Sequence, residues 1–375
     1  MRQSLHDPLT YVMAMNNIRI LFIILCCFLP LCSFSQKDSS DINVIALKVH
    51  YGSVFIHTPA VKNVTGSEPY GTALDLSKIR MDSASYQKCN CFSRYGIALS
   101  YFDFDNTILG HGEMISYFLE PSYRISNNLK FSMRAAAGIT YDSNPYSKTK
   151  NPANNNYETH LNPYLQVGTG FNYNLSSHLS IAFMGNFQHF SNGGFRQPNR
   201  GLNWITGSIG FFYYTQNNKL TKYKHTRYVG WKSKKAWFET GILYVPTQGY
   251  NSKIMGQRKY LYGVFGQVTK QYGKVSGITG GAEIYYDEIQ YSSVNKVKRS
   301  PAQAGIHAGH IFLFSRVSFS QQIGLQLIKE NTSANDIYLR FGLSYILTRH
   351  FEIGVNLKTH EDNADFADFR IMYRF

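Results

Sequence analysis

Strand-length segments of alternating apolar and polar residues recur along almost the whole chain after residue 36. No later stretch approaches the roughly 20 apolar residues that a membrane helix requires. Successive side chains of a β-strand point to opposite faces, so this alternation predicts strands with one apolar face each. Tyr and Phe favour strands, and the chain contains 28 Tyr and 26 Phe. We expect strands near 43–57, 70–79, 94–104, 113–125, 129–141, 158–174, 178–190, 203–215, 236–247, 258–271, 276–286, 302–314, 316–328, 336–348, 350–359 and 364–375, sixteen in all.

Short and long connections alternate between these segments. The short turns are 126–128, 176–177, 272–274, 315–316 and 348–349, and the longer polar loops are 142–157, 191–202, 248–257, 287–300, 329–335 and 360–365. Transmembrane barrels of bacteria have short periplasmic turns and long external loops. The connections 80–93 and 216–235 are exceptions, because they are long on the short-turn side. The pattern therefore predicts an all-β, antiparallel outer-membrane β-barrel, with the loop that begins at Ser191 on the outside.

A water-soluble β-sandwich would alternate in the same way, but its surface would be rich in charge. Only 16% of the residues here are charged, and many apolar rows face glycine, serine, asparagine and glutamine instead. This composition favours a lipid-facing exterior and a modestly polar interior.

The sixteen segments divide into eight plus eight around a basic stretch. Residues 219–235 contain seven Lys or Arg and no acidic residue. A weak internal echo supports the division, since Gly170, Tyr173, Leu175, His178 and Ile181 recur at one constant offset as Gly342, Tyr345, Leu347, His350 and Ile353. Two small barrels and one sixteen-stranded barrel are both compatible with this pattern.

The N-terminus predicts export. An apolar run from Ile20 to Leu31 is followed by Ser33-Phe34-Ser35, which is typical of a signal peptide with a small-x-small cleavage site. We therefore expect a signal peptide at 1–35, a first barrel half at 36–216, a basic linker at 217–235 and a second half at 236–375. For an exported chain of net charge +15, anionic lipid head groups are more plausible partners than nucleic acid.

Two cysteines remain after the predicted cleavage. Cys89 and Cys91 form a C-x-C pair without a neighbouring histidine, which indicates a disulfide or two free thiols rather than a metal site. We expect no metal and no cofactor.

A histidine and a serine at the end of one strand are the candidate catalytic pair. His189 and Ser191 share a face because they are two residues apart. A serine hydroxyl needs a nearby base to act as a nucleophile, and the base needs a third group to orient it. Asn203, on the next strand, can orient His189 but supplies no negative charge. Three residues of the intervening loop are candidate oxyanion or supporting groups, namely Asn192, Gly193 and Asn199.

The His-x-Ser spacing could also occur by chance. An isolated His-x-Ser in a loop usually has no function, and glycine and asparagine are ordinary turn residues. The position of the pair favours catalysis, because polar side chains at the end of a lipid-facing row would contribute little to a loop that has no function. That row consists of Ile181, Phe183 and Phe187, and the row below Asn203 consists of Ile205, Ile209, Phe211 and Tyr213.

The segment from His189 to Asn203 also resembles a known family. It reads HFSNGGFRQPNRGLN, between FMGNFQ and WITGSIGFFYY, and resembles the active-site hairpin of the outer-membrane lipid A 3-O-deacylases, the PagL family. These are eight-stranded barrels that hydrolyse an ester-linked acyl chain of lipopolysaccharide. The resemblance extends over roughly 40–216 and does not cover the second half.

The resemblance implies that His189 is the general base, that Ser191 is the nucleophile, and that Asn192 and Asn199 support the site. The family has a glutamate at the position that aligns with Asn203, so this chain departs from the pattern there. A carboxylate on another strand, such as Glu113 or Glu120, is an alternative third member. In the second half, His360 is not part of a His-x-Ser, so no second active site is expected.

The sequence thus predicts a serine esterase of the bacterial outer membrane that removes an ester-linked acyl chain from lipid A, with water as the acceptor. Basic residues near the rim would pair with the phosphates of this partner. The alternative is a non-catalytic barrel, a porin or a scaffold, with a degenerate site. The acyl position, the oligomeric state and the role of the second half stay open.

Overall fold

The computed structural model describes residues 41–218, 230–248, 258–287, 301–314, 316–328, 336–360 and 363–375. The predicted signal peptide at 1–35 and most of the predicted basic linker lie outside these residues. Among the described residues, no helix is both long and apolar enough to cross a membrane.

Sixteen antiparallel strands form two closed barrels of eight strands each. The first barrel contains β1 (Asp41–Val54), β2 (Tyr70–Arg80), β3 (Phe92–Asp103), β4 (His111–Arg124), β5 (Leu129–Asp142), β6 (Leu161–Asn174), β7 (Leu179–Phe190) and β8 (Leu202–Tyr214). The second contains β9 (Trp237–Gln248), β10 (Arg258–Gln271), β11 (Ser276–Asp287), β12 (Ala302–Phe314), β13 (Val317–Ile328), β14 (Ile337–Ile346), β15 (Phe351–His360) and β16 (Asn363–Arg374). The predicted strands are confirmed, and of the two architectures compatible with the sequence the structure has the two small barrels.

Each barrel is closed by pairing between its first and last strands. In the first barrel β1 pairs with β8, with Val44 opposite Tyr214 and Val54 opposite Trp204. In the second, β9 pairs with β16, with Ile242 opposite Ile371. Closure leaves neither barrel with an unpaired edge strand, which is a requirement in lipid because unpaired backbone groups find no water there.

The outer wall of each barrel is apolar. On β1 the outward side chains Ile45, Leu47, Val49 and Tyr51 are 43–59% exposed, while their neighbours Val44 and Ala46 are fully buried. The same alternation brings Phe369, Ile371 and Tyr373 to the outside of β16. Such a surface is suited to contact with hydrocarbon and not with water, so the sandwich alternative is excluded.

Charged side chains fill the interior of the first barrel. Asp75 accepts from Lys48 at 2.9 Å, from Arg94 at 2.9 Å and from Arg134 at 2.8 Å. Glu120 pairs with the same two arginines, at 2.6 and 3.2 Å. All five side chains are at most 4% exposed. We call this set the first ion network.

The second barrel contains an equivalent arrangement, the second ion network. Arg340 pairs with Glu283 and with Asp368 at 2.8 Å, and Arg370 pairs with Asp368 at 2.6 Å and with Glu283 at 3.3 Å. Two interior cavities, one in each barrel, have volumes of about 10 and 20 Å³. Each of these cavities has room for about one water.

A buried aromatic cluster fills one end of the first barrel and anchors the loops there. Trp204 packs edge-on against Phe102, Phe104 and Phe190 with ring centroids 5.4–5.8 Å apart. Tyr157, from the β5–β6 connection, joins the cluster and donates its hydroxyl to the Leu109 carbonyl at 2.6 Å. A 3-10 helix at Pro59–Val64 in the β1–β2 connection contributes Val61 and Val64. The loops at this end are therefore held by a common core.

At the other end, the β2–β3 connection is longer than a turn because it contains helix α1 (Ser83–Cys89). Asp82 caps this helix by accepting from the Ser85 backbone at 2.8 Å, and the two hydrogen bonds from Ser85 lower the pKa of the Asp82 carboxyl. Cys89, the last residue of the helix, forms a disulfide with Cys91. A second 3-10 helix, Gly230–Ser233, precedes β9.

Candidate active site

Strand alternation places the candidate catalytic residues on the outside of the first barrel. His189 lies opposite Asn203 in the pairing of β7 with β8. Their neighbours Phe190 and Leu202 point inward into the aromatic cluster and are 0% and 1% exposed. Because adjacent side chains in a strand face opposite sides, this anchoring forces His189 and Asn203 outward, above the apolar rows that the sequence predicted.

His189 bridges Ser191 and Asn203. Its Nε2 lies 3.1 Å from Ser191 Oγ, and its Nδ1 lies 2.6 Å from Asn203 Oδ1. An amide oxygen can only accept, so the proton of the ring lies on Nδ1. Nε2 is then the acceptor for the Ser191 hydroxyl, which is the protonation state that a general base requires.

Glycine at position 201 lets the loop pass close to the histidine ring. Gly201 has a φ of +71°, in the left-handed region that disfavours other residues. A Cβ at this position would lie 2.9 Å from Cε1 of His189 and 3.2 Å from Cβ of Ser191. A side chain here would therefore displace the candidate catalytic pair.

Asn192 holds the loop together. Its backbone N–H donates to Asn199 Oδ1 at 3.0 Å, and its own Oδ1 accepts from Gly194 N at 3.0 Å. Its Nδ2 donates to Thr159 Oγ1 at 3.3 Å. Asn192 thus supports the site, but its N–H donors are used in hydrogen bonds within the protein and do not face a substrate. Within the described residues the Gly193 N–H has no hydrogen-bond partner, and the bond to Asn199 Oδ1 leaves the Nδ2 donors of that residue unused.

A residue that the sequence reasoning missed completes the network. Asn203 Nδ2 donates to His57 Nδ1 at 3.0 Å, and His57 Nε2 donates to the Arg200 carbonyl at 3.0 Å. The Phe55 N–H donates to the Asn203 carbonyl at 2.8 Å, which brings the end of β1 alongside β8. A signal for His57 was present, since it lies three residues after the end of β1 and keeps the odd-numbered spacing of the outward residues of that strand.

The alternative carboxylates lie elsewhere. Glu120 belongs to the first ion network inside the barrel. Glu113 lies opposite Tyr101 in the pairing of β3 with β4. Both ring nitrogens of His189 are already engaged by Ser191 and Asn203, so neither glutamate is its hydrogen-bond partner. In the second barrel, His360 Nδ1 contacts Asp365 at 2.5 Å.

A loop from the β5–β6 connection lies beside the hairpin that contains His189 and Ser191. Glu158 in this loop lies 3.9 Å from Arg196, whose side chain is 49% exposed. Partial burial raises the pKa of the Glu158 carboxyl, and the arginine opposes this effect. Arg196 is thus a cation at the rim with only a loose acidic partner.

Closed eight-stranded barrels with an apolar outer wall and a polar, filled interior define the class of small outer-membrane β-barrels. Within that class the chain has two family matches. Residues 95–212 match the family lipid A 3-O-deacylase (PagL), and residues 240–375 match the acyloxyacyl hydrolase C-terminal domain. The first barrel is therefore similar to the PagL family and the second to the acyloxyacyl hydrolase C-terminal domain, and the protein is one of the bacterial outer membrane. The PagL match lies within the first half, as the resemblance indicated, and the second barrel matches a separate family model.

Comparison with solved structures returned small barrels among its matches. The outer membrane enzyme PagL is 15% identical with a TM-score of 0.33, covering 44% of this chain and 97% of that one. The N-terminal barrel domain of OprF from Pseudomonas aeruginosa is 14% identical with a TM-score of 0.28, covering 46% and 98%. No curated protein sequence matches the chain.

Proposed function

We propose that the first barrel is a serine-histidine esterase that hydrolyses an ester-linked acyl chain of lipid A. The observation that carries the proposal is the continuous hydrogen-bonded series from Ser191 through His189 to Asn203 on the outer wall. The PagL family match over 95–212 supports lipid A as the substrate.

The proposed reaction has two halves. Ser191 Oγ attacks the ester carbonyl while its proton passes to His189 Nε2, and the resulting tetrahedral intermediate expels the sugar hydroxyl, which takes that proton. Water, deprotonated by the same nitrogen, then attacks the acyl-serine ester. The fatty acid leaves, and the proton returns to Ser191. No redox partner or cofactor is needed for the balance.

Two donors are suited to the developing oxyanion. The Gly193 N–H and Asn199 Nδ2 are not consumed by the hydrogen bonds that hold the loop. A donor in such a position typically contributes a factor of about 10² to 10³ to kcat. Asn192, in contrast, acts by fixing this loop.

The position of the site indicates how substrate would reach it. The acyl chain would lie along the outer wall past Phe187 and Ile205, which are 39% and 47% exposed. The sugar and its phosphates would lie above them, near Arg196 at the rim. Lipid A would thus enter sideways from the outer leaflet.

The decisive experiment compares lipid A from cells that express the protein and its variants. Ser191→Ala and His189→Ala should each abolish acyl-chain loss, detected by mass spectrometry, because a nucleophile and its base fail as one unit. Ser177→Ala, in the turn at the opposite end of the barrel, is the matched control and should be fully active. Heat-modifiable migration in gels verifies folding of every variant.

Deacylation by Ser191→Ala would refute the mechanism. An inactive but folded wild-type protein would instead favour the non-catalytic scaffold, for which the asparagine at position 203 is the specific argument. The ion networks that cross both barrel interiors are an argument against the porin version of that alternative.

The domain limits belong to the same proposal. We propose a signal peptide at 1–35, a catalytic barrel at 36–216, a basic linker at 217–235 and a second barrel at 236–375. In support, the strands of the two barrels span Asp41–Tyr214 and Trp237–Arg374.

A further inference from the structure

We infer that His57 is a positioning residue, which orients the amide of Asn203 and thereby sets the tautomer of His189. The inference rests on the proposed function, because it assigns the part of the network that keeps the base ready. It concerns the contact between Asn203 Nδ2 and His57 Nδ1, across the seam that closes the first barrel.

His57 contacts two backbone carbonyls, and the shorter contact fixes the direction of the hydrogen bonds in the series. The Phe55 oxygen lies 3.5 Å from Nδ1, at the outer limit of a hydrogen bond, whereas the Arg200 oxygen lies 3.0 Å from Nε2. The Arg200 oxygen can only accept, so His57 Nε2 must carry the proton that it donates at 3.0 Å. His57 Nδ1 of the neutral ring is then an acceptor, and only the Nδ2 end of Asn203 can donate to it. Oδ1 is left facing His189, which donates from Nδ1 and keeps Nε2 free to accept from Ser191.

The anchoring carbonyl is itself held in place. It belongs to the peptide unit between Arg200 and Gly201, whose N–H donates to the Asn156 carbonyl at 2.8 Å. The preceding N–H, of Arg200, donates to the Asn155 carbonyl at 3.1 Å. The β5–β6 connection thus fixes the peptide plane, and the plane fixes the acceptor for His57.

Rotation of the Asn203 amide by half a turn would reverse the series. Nδ2 would then face His189 Nδ1, which could accept only if the ring proton moved to Nε2. In that tautomer Nε2 cannot take the proton of Ser191, and the base is lost. His57 opposes this rotation, because Oδ1 would meet the lone pair of its Nδ1. A carboxylate has two equivalent oxygens and presents an acceptor to His189 in either orientation. An asparagine does so in only one orientation, which is why it needs a partner that fixes its amide.

The first test uses two substitutions of the same residue. His57→Leu removes both the donor and the acceptor, and we expect kcat to fall about tenfold or more with little change in KM, since a lost neutral hydrogen bond shifts an equilibrium by roughly that factor. His57→Gln presents one amide donor and one amide acceptor and should recover most of the rate. His111→Leu is the matched control, because His111 lies at the same end of the barrel, stacks on Tyr101 and should leave the rate unchanged.

The second test reads the tautomer directly. In detergent-solubilised full-length protein with ¹⁵N-labelled histidine, His189 should be protonated at Nδ1 in the wild type and in His57→Gln. In His57→Leu a substantial fraction should be protonated at Nε2. This measurement does not require activity, so it separates the two proposals. If Ser191→Ala still deacylates lipid A, the proposed function fails while the tautomer result stands by itself. A His57→Leu protein with wild-type kcat and an unchanged His189 tautomer overturns the inference.

Discussion

Replacing Asn203 with aspartate should make the site faster. Asp has the same length as Asn, so one carboxylate oxygen can occupy the place from which Oδ1 now contacts His189 Nδ1 at 2.6 Å, and the other can accept from His57 once the His57 ring proton moves to Nδ1. During attack by Ser191 the ring becomes an imidazolium, and the bond to a carboxylate is then charge-assisted. Hydrogen bonds to charged groups contribute about 1.5–3 kcal/mol, against about 0.5–1.5 kcal/mol for neutral ones. The gain of about 1–1.5 kcal/mol corresponds to a rise in kcat of roughly tenfold.

The assay is the rate of fatty-acid release from purified lipid A in detergent micelles, with substrate in excess and with the wild type and Asn203→Asp refolded side by side. Asn203→Ala is the matched comparison and should be slower than the wild type, because it removes orientation without adding charge. Asn203→Glu is expected to gain less than Asn203→Asp, since its extra methylene must fit into a gap that is already closed at 2.6 Å.

The same variant examines the role of His57. Because a carboxylate presents an acceptor to His189 in either orientation, adding His57→Leu to Asn203→Asp should cost much less than adding it to the wild type, a non-additive pair. The reasoning is refuted if folded Asn203→Asp is no faster than the wild type, or if the His57→Leu loss is equal in both backgrounds.

Two further outcomes follow from the fold. Gly201→Ala should lower the free energy of unfolding by about 1–2 kcal/mol, because its left-handed backbone disfavours a side chain. It should also reduce deacylation at least as much as His57→Leu, since the new Cβ would contact the His189 ring. A urea titration measures the first effect and the release assay the second, and wild-type activity would contradict the prediction. A fragment of residues 36–218, which begins at the predicted mature N-terminus, should refold in detergent as a heat-modifiable barrel, because β1 pairs with β8 within it. Aggregation of this fragment would contradict the proposed domain limits. An N-terminal sequence of the exported protein that does not start near Gln36 would contradict them as well.

The local part of the fold could be predicted because outward and inward positions differ chemically. Phe183 and Phe187 alternate with Met184 and Asn186 along β7, and such a period of two leaves little freedom in the register. The number of barrels could not be decided this way. Both architectures share every hairpin and differ only in whether β1 meets β8 or β16, a long-range choice that no local pattern specifies.

In the site, too, local contacts could be predicted from the sequence and long-range contacts could not. His189 and Ser191 are two residues apart, so strand geometry alone brings them together. His57 is 146 residues from Asn203 and becomes its neighbour only through barrel closure. The role of Asn192 was ambiguous for another reason, since the sequence does not tell whether an amide faces the substrate or its own loop. The pairing of Cys89 with Cys91 likewise required three-dimensional information to distinguish a disulfide from free thiols.

The two ion networks bear on how wide each barrel can be. Arg134 on β5 reaches Asp75 on β2 at 2.8 Å, and Arg340 on β14 reaches Glu283 on β11, so each contact spans three strands. Along a flat wall three strand spacings amount to roughly 14 Å, a gap that these side chains close only where the wall curves tightly. A sixteen-stranded cylinder would hold Arg134 away from Asp75 and Arg340 away from Glu283, around a water-filled space, and only pairs on the same or adjacent strands would remain. The ion pairs inside each half thus favour a barrel of eight strands, because only a barrel that narrow brings the paired charges into contact.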